Sequence, residues 1–203
     1  MNLAELRDSI CLQIIYELGQ LKPWAEKNRI EHRIVLSEEA FSRVAEICLN
    51  LAILWKSETI DYFMFKQMLK AALFDNIGIA EEILLKKGPL TDDEIRIVKD
   101  HPRLAFDTAA LCNLGLSTTF VGIHHERADG KGYPRQIEIT EWIKQVFIFV
   151  IQFTALTSPR PWRPNLSLAE TCQILKDDQG LVDPEIAKGI MGVFKQEYRV
   201  HIN

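Results

Sequence analysis

The sequence predicts an all-α fold, one domain built as a bundle of about seven to nine helices. Three observations carry that prediction. Apolar residues recur at spacings of three and four along most of the chain. Two capping boxes, Thr91 with Glu94 and Ser167 with Glu170, and an Asp183-Pro184 pair mark helix starts. The chain has 203 residues, 47% hydrophobic and 26% charged, which is enough apolar material for one packed domain and rules out a disordered chain. No repeat of the ~20–50-residue kind is present.

The elements follow in order. Leu3, Leu6, Ile10, Ile14 and Leu18 make one apolar stripe, with Cys11 and Ile15 beside it, on a helix that Gly19 is expected to end. Residues 22–36 are polar and mixed and read as a linker. The chain therefore divides into an N-terminal helix with its linker, 1–35, and a domain, 36–203. Ser37 is placed to cap a second helix with Phe41, Val44, Ala45, Cys48, Leu51, Ala52 and Trp55 on its inner face. Ser57 or Thr59 starts a third, through Tyr62, Phe65, Leu69 and Leu73. Gly88-Pro89 is a stop, and Thr91 opens the next helix. Within that helix Pro102 lacks an N–H and is expected to kink or restart it. Residues 129–134 are a loop by composition. Residues 142–156 are strongly apolar and read as a buried helix. Strand is the alternative, because 146–151 is β-branched and aromatic.

Composition excludes several functions. With 24 basic against 28 acidic residues the formal net charge is −4, which does not suit binding to a nucleic-acid polymer or an anionic membrane. No apolar run approaches the ~20 residues of a membrane span, and the N-terminus lacks an apolar signal core. Cys11, Cys48, Cys112 and Cys172 lie far apart with no CxxC pair, the pattern of reduced thiols in a cytoplasmic protein.

The informative stretch is residues 124–134, HHERADGKGYP. Adjacent histidines at the end of an apolar helix can offer imidazoles to a metal. Gly130 and Gly132 flank Lys131 in a tight turn, and Tyr133-Pro134 stiffens its exit. The plain alternative is a polar helix end followed by a turn. On a regular helix His124 and His125 diverge by ~100°, so both reach one ion only where the helix end is distorted.

This stretch resembles the signature loop of the HD-GYP family, bacterial metal-dependent phosphodiesterases of the all-helical HD superfamily that hydrolyse cyclic di-GMP. The likeness extends over residues 41–52, 71–102, 155–163 and 180–186, and covers roughly 36–197. It implies an HD-domain-like bundle. It also implies a ligand set: Asp75, His101, His124 and His125 match family ligands, whereas Ala40, Phe74 and Ile151 stand where the family has His, His and Asp. The family's lysine after the His-Asp pair is absent, with Asn76 preceding Ile77-Gly78. On this resemblance one ion's shell is emptied and the other is formally complete, so two-ion catalysis is expected to fail. No catalytic residue is assigned, and the expected cofactor is none or one divalent ion (iron, manganese or zinc). Asp75 has a second reading, as a cap of the Asn76-Ile77-Gly78 turn.

The resemblance implies a non-catalytic signalling module of cyclic di-GMP pathways. Its surface is the loop Glu126, Arg127, Asp129, Gly130, Lys131, Gly132, Tyr133 and Pro134, and the partner it implies is a signalling protein such as a diguanylate cyclase domain. A residual one-ion phosphodiesterase is the first alternative. A cyclic-dinucleotide receptor is the second, with Arg127, Lys131 and Arg163 on phosphate and Trp162 on guanine. The N-terminal stripe serves either the chain's own core or a homodimer.

Overall fold

The computed structural model describes residues 3–29, 37–160 and 163–200, and it is all-helical. Among these residues are nine helices: α1 Leu3–Asn28, α2 Glu38–Lys56, α3 Tyr62–Ala72, α4 Glu81–Leu84, α5 Asp92–Leu111, α6 Leu116–Ile123, α7 Trp142–Thr157, α8 Leu168–Asp177 and α9 Pro184–Val200. The second helix is the hub and packs against α1, α3, α7 and α9, while α5 lies on α6 and α6 on α3. One apolar core runs through all of these layers.

Helix starts follow local chemistry. Ser37, Thr91 and Ser167 each accept the backbone N–H of the residue three further on, and the latter two complete both halves of a capping box. Asp183 accepts the Glu185 N–H just before Pro184. The third helix begins later than expected, at Asp61, whose carboxylate accepts the Met64 N–H at 2.7 Å. Ser57 and Thr59 do not start it, because they close the exit of α2: Ser57 donates to the Leu54 carbonyl and its hydroxyl meets that of Thr59.

Two breaks do not occur. The first helix runs straight through Gly19 and Pro23 to Asn28, so 22–28 is helix rather than linker. Leu21 and Ala25 continue the buried stripe of Leu6, Ile10 and Ile14, and their packing outweighs the ~1 kcal/mol that glycine costs a helix. The rest of the expected linker, 30–36, lies outside the described residues. The stripe is buried in the chain's own core, while Leu12, Ile15 and Tyr16 on the other face remain exposed. Likewise α5 continues through Pro102. The apolar segment 142–156 is helix and not strand. It is buried on nearly every side, so periodicity is silent there, and its 16-residue length suits a central helix better than a strand. The four cysteines are unpaired.

Among the described residues no helix is long and apolar enough to cross a membrane.

Candidate metal centre

Three packed segments bring the site together. His101 sits mid-way along α5. His124 and His125 follow the last turn of α6, where the chain has left helical register. That departure lets two adjacent histidines face one point. Three ring nitrogens, one each from His101, His124 and His125, lie within 4.8 Å of one another.

The rings are oriented by backbone carbonyls. His101 Nδ1 bonds the Val98 carbonyl, and His124 Nδ1 bonds the Val121 carbonyl at 2.6 Å. Both acceptors are free for a structural reason. Val98 lies four residues before Pro102, which has no N–H to give it. Val121 is in the final turn of α6, where carbonyls lack helical partners. A carbonyl only accepts, so each Nδ1 carries the proton and each Nε2 presents a lone pair. The two Nε2 atoms face each other at 2.9 Å. Two lone pairs at that separation repel unless a cation lies between them. Ligands ~2.1 Å from one ion are themselves about 3.0–3.4 Å apart. The donor set therefore fits a divalent transition ion, with a second-sphere carbonyl fixing two of the three imidazoles. His125 is held differently. Its ring stacks on Tyr133 with centroids 4.6 Å apart, and its carbonyl accepts the Tyr133 N–H.

Electrostatics agree with this role. Burial, followed by the neighbouring His124, brings the His101 imidazolium down to about 4. Burial likewise depresses His124, and it depresses His125 well below the usual range, where His124 and His101 add to it. All three rings are neutral near pH 7, the form that ligates a metal.

Asp75, the fourth expected ligand, is not among the three residues whose donor atoms gather here. It is 3% exposed. Its carboxylate is held by Arg43 of α2, whose Nε donates to Oδ2 and whose Nη2 reaches Oδ1 at 3.4 Å. Burial pushes the Asp75 carboxyl up, but the guanidinium and the nearby histidines leave it net below the ordinary value. The capping alternative is also not observed, because this carboxylate's hydrogen bonds go to Arg43. Phe74 is fully buried and Ile151 is 1% exposed, both within the apolar core. Ala40 and Arg43 line a cleft of about 620 Å³ that is also bordered by Asn76, Arg160 and Tyr198.

The 126–134 loop is bound to the body of the protein. Glu126 is fully buried and its carboxylate accepts the Arg135 and Ile137 N–H groups at 2.8 and 3.2 Å. Gly132 passes so close to the 125–126 backbone that a Cβ there would sit 2.5 Å from both the His125 oxygen and the Glu126 Cα. Arg127 bridges Asp129 and Asp178, and the Ala128 and Asp129 N–H groups bond the Leu181 and Gly180 carbonyls. The Tyr133-Pro134 peptide is cis.

Of the expected phosphate-binding cations, Arg127 is thus engaged by two carboxylates. Arg163 is engaged by the Ala155 and Leu156 carbonyls in the last turn of α7 and by the Pro164 carbonyl. The Lys131 side chain is exposed. Trp162 lies outside the described residues.

Sequence reasoning missed three contributors. Arg43 lies three residues after Ala40, so its charge was visible but its partner was not. Pro102 read as a helix breaker, although its spacing of one from His101 and four from Val98 was in plain view. Asp178 carried no signal, since its role depends on a loop folding back from residue 127.

A helical bundle that gathers three neutral histidines at one point, two of them oriented by backbone carbonyls, is a scaffold that could hold a metal ion. The sequence profile described as "HD domain" matches residues 26–186, and the chain belongs to that family. It is 29% identical over 174 residues to 3'3'-cGAMP-specific phosphodiesterase 1 of Vibrio cholerae, a match covering 79% of this chain and 38% of that protein. It is 31% identical over 128 residues to a cyclic di-GMP phosphodiesterase of the same organism, covering 58% and 26%. A cyclic di-GMP phosphodiesterase of Thermotoga maritima is 32% identical over 144 residues, covering 67% and 39%. The chain thus spans less than two fifths of the length of these relatives.

Proposed function

We propose that this chain is an HD-GYP-like module of bacterial cyclic-dinucleotide signalling that holds one divalent cation, does not hydrolyse phosphodiesters, and acts through the 126–134 loop on a signalling protein in the cytoplasm. Residues 36–203 carry the module and 1–35 extend it. The observation that carries this reading is the pairing of a metal-competent histidine cluster with Asp75 engaged by Arg43 and with Phe74 and Ile151 sunk in the apolar core. Hydrolysis by the two-ion route needs a second cation ~3.5–4 Å from the first, polarising the phosphate or the attacking water. Apolar side chains offer it no ligands, and burying a cation against them is prohibitive. When bound, the single ion would supply a Lewis acid. The histidines hold it, and the tied loop presents Lys131 at a fixed place on the surface. A diguanylate cyclase domain is the proposed partner class.

Incubation with cyclic di-GMP and Mn²⁺ is the test. The expected result is no linear dinucleotide above the protein-free control, with about one ion retained per chain. Linear product that disappears in His125→Ala would overturn the proposal. Binding of a purified diguanylate cyclase domain, lost on Lys131→Glu, is the expected positive result for the loop. The 620 Å³ cleft with Arg43 and Arg160 on its walls favours one second reading, a receptor for a cyclic dinucleotide without turnover. A thermal shift with cyclic di-GMP that does not require metal distinguishes it.

A further inference from the structure

We propose that α1 carries a self-complementary outer face on which a second copy of this chain docks antiparallel, closing a two-fold dimer. A surface helix with one stripe in the core ordinarily turns polar residues to water on the opposite side. The stripe of Leu6, Ile10, Ile14, Leu21 and Ala25 is buried, yet the opposite face carries Leu12, Ile15 and Tyr16, which are 70%, 58% and 59% exposed. Single exposed apolar residues are ordinary, but these three are neighbours at spacings of three and four. Charge on this face is divided by sign. At ~100° per residue, Glu5 and Asp8 share it on the N-terminal side of the apolar patch. On the C-terminal side Lys22 and Lys27 stand to either side of Glu26. A parallel pairing of two copies sets acid on acid and base on base. An antiparallel pairing about an axis at residues 15 and 16 sets Ile15 on Ile15 and Tyr16 on Tyr16. It brings Asp8 of each copy beside Lys22 of the other, and Glu5 beside Lys27. Leu12 then falls opposite Gly19, where a Cβ would meet nothing within 4 Å, so the helix surface offers the leucine a gap. Within the chain Lys22 reaches Glu26 at 3.9 Å and Lys27 lies 5.5 Å from the Trp24 ring centre, surface contacts that exchange easily for an intermolecular pair. Because one patch meets its own copy, association closes at two.

Sedimentation velocity over a concentration series of the native chain tests this. A monomer–dimer equilibrium is expected. Leu12→Glu is expected to leave a monomer with native far-ultraviolet circular dichroism, since position 12 faces water. Asp8→Lys and Lys22→Glu are each expected to weaken the dimer about fivefold, because symmetry places two such pairs in every dimer. Their combination reverses both charges, remakes the pairs and is expected to return the dimer to within about twofold of native. A native chain that stays monomeric up to ~0.5 mM overturns the proposal. So does a dimer that survives Leu12→Glu, or association that runs past two copies. A combined variant that dimerises no more tightly than either single one overturns the antiparallel arrangement, because a parallel pair would still set like charges together. Should Leu12→Glu fail to fold, the charge variants and their combination, all at exposed positions, still decide.

Discussion

Pro102→Ala separates metal binding from folding. Alanine at 102 restores an N–H directed at the Val98 carbonyl, the oxygen that now accepts His101 Nδ1. Removing a proline from a helix interior relieves up to ~3 kcal/mol, including the missing hydrogen bond. Against that stand two buried methylenes at ~0.8 kcal/mol each. The unfolded chain also gains freedom worth ~0.4–1 kcal/mol. The balance lies within about 1 kcal/mol of zero, so folding stability should hardly change. The metal centre should change far more. With Val98 contested, His101 loses the bond that keeps its proton on Nδ1, and an orienting partner of this kind is typically worth ~10–100-fold in metal affinity. Zn²⁺ titration beside urea unfolding measures both quantities, and long-range ¹H–¹⁵N spectra of the imidazoles report the tautomer directly. The expected result is a mixed His101 tautomer, an affinity reduced at least tenfold and an unfolding midpoint nearly unmoved. An affinity within threefold of native, with His101 still protonated on Nδ1, would refute the argument that the proline frees the carbonyl for the histidine.

Three more outcomes follow from the same coordinates. The folded-state value of His101 lies near 4 against an ordinary 6.5, so below pH 6.5 the unfolded chain binds a proton that the folded chain does not. Metal-free protein should keep this stability above pH 6.5 and lose it as pH falls to 4, by up to about 3 kcal/mol from His101 alone, with His124 and His125 adding in the same direction. Urea unfolding that is flat between pH 7 and 4.5 would contradict this. Asp75 acts in a separate window, below its ordinary 3.8. Gly132→Ala places a Cβ against backbone at 2.5 Å and should cost about 2 kcal/mol or more while unstacking Tyr133 from His125. Gly189→Ala, in α9 with nothing within 4 Å, should stabilise by up to ~1 kcal/mol and serves as its control in thermal melts. Glu126→Gln replaces a buried carboxylate that accepts two N–H groups with an amide that can turn a donor toward them. It should lower stability by ~2 kcal/mol and loosen residues 135–137 in hydrogen exchange.

The sequence alone determined whatever depends on neighbours within a turn or two. The capping boxes at Thr91 and Ser167, the proline start at 184 and the apolar face of α2 follow from local propensity and period, which act before any tertiary contact exists. The histidines of the centre were legible too, as residue types in a rare local pattern. Tertiary structure decided the rest, because those outcomes are competitions between distant parts of the chain. Gly19 stays helical because Leu21 and Ala25 find a core to enter. The segment around Ile151 is helix because every side of it is covered. Asp75 is paired because a guanidinium 32 positions earlier reaches it, and Arg127 is engaged because Asp178, 51 positions later, folds against it. A charge's partner is set by which helices pack together, and that is a property of the whole fold.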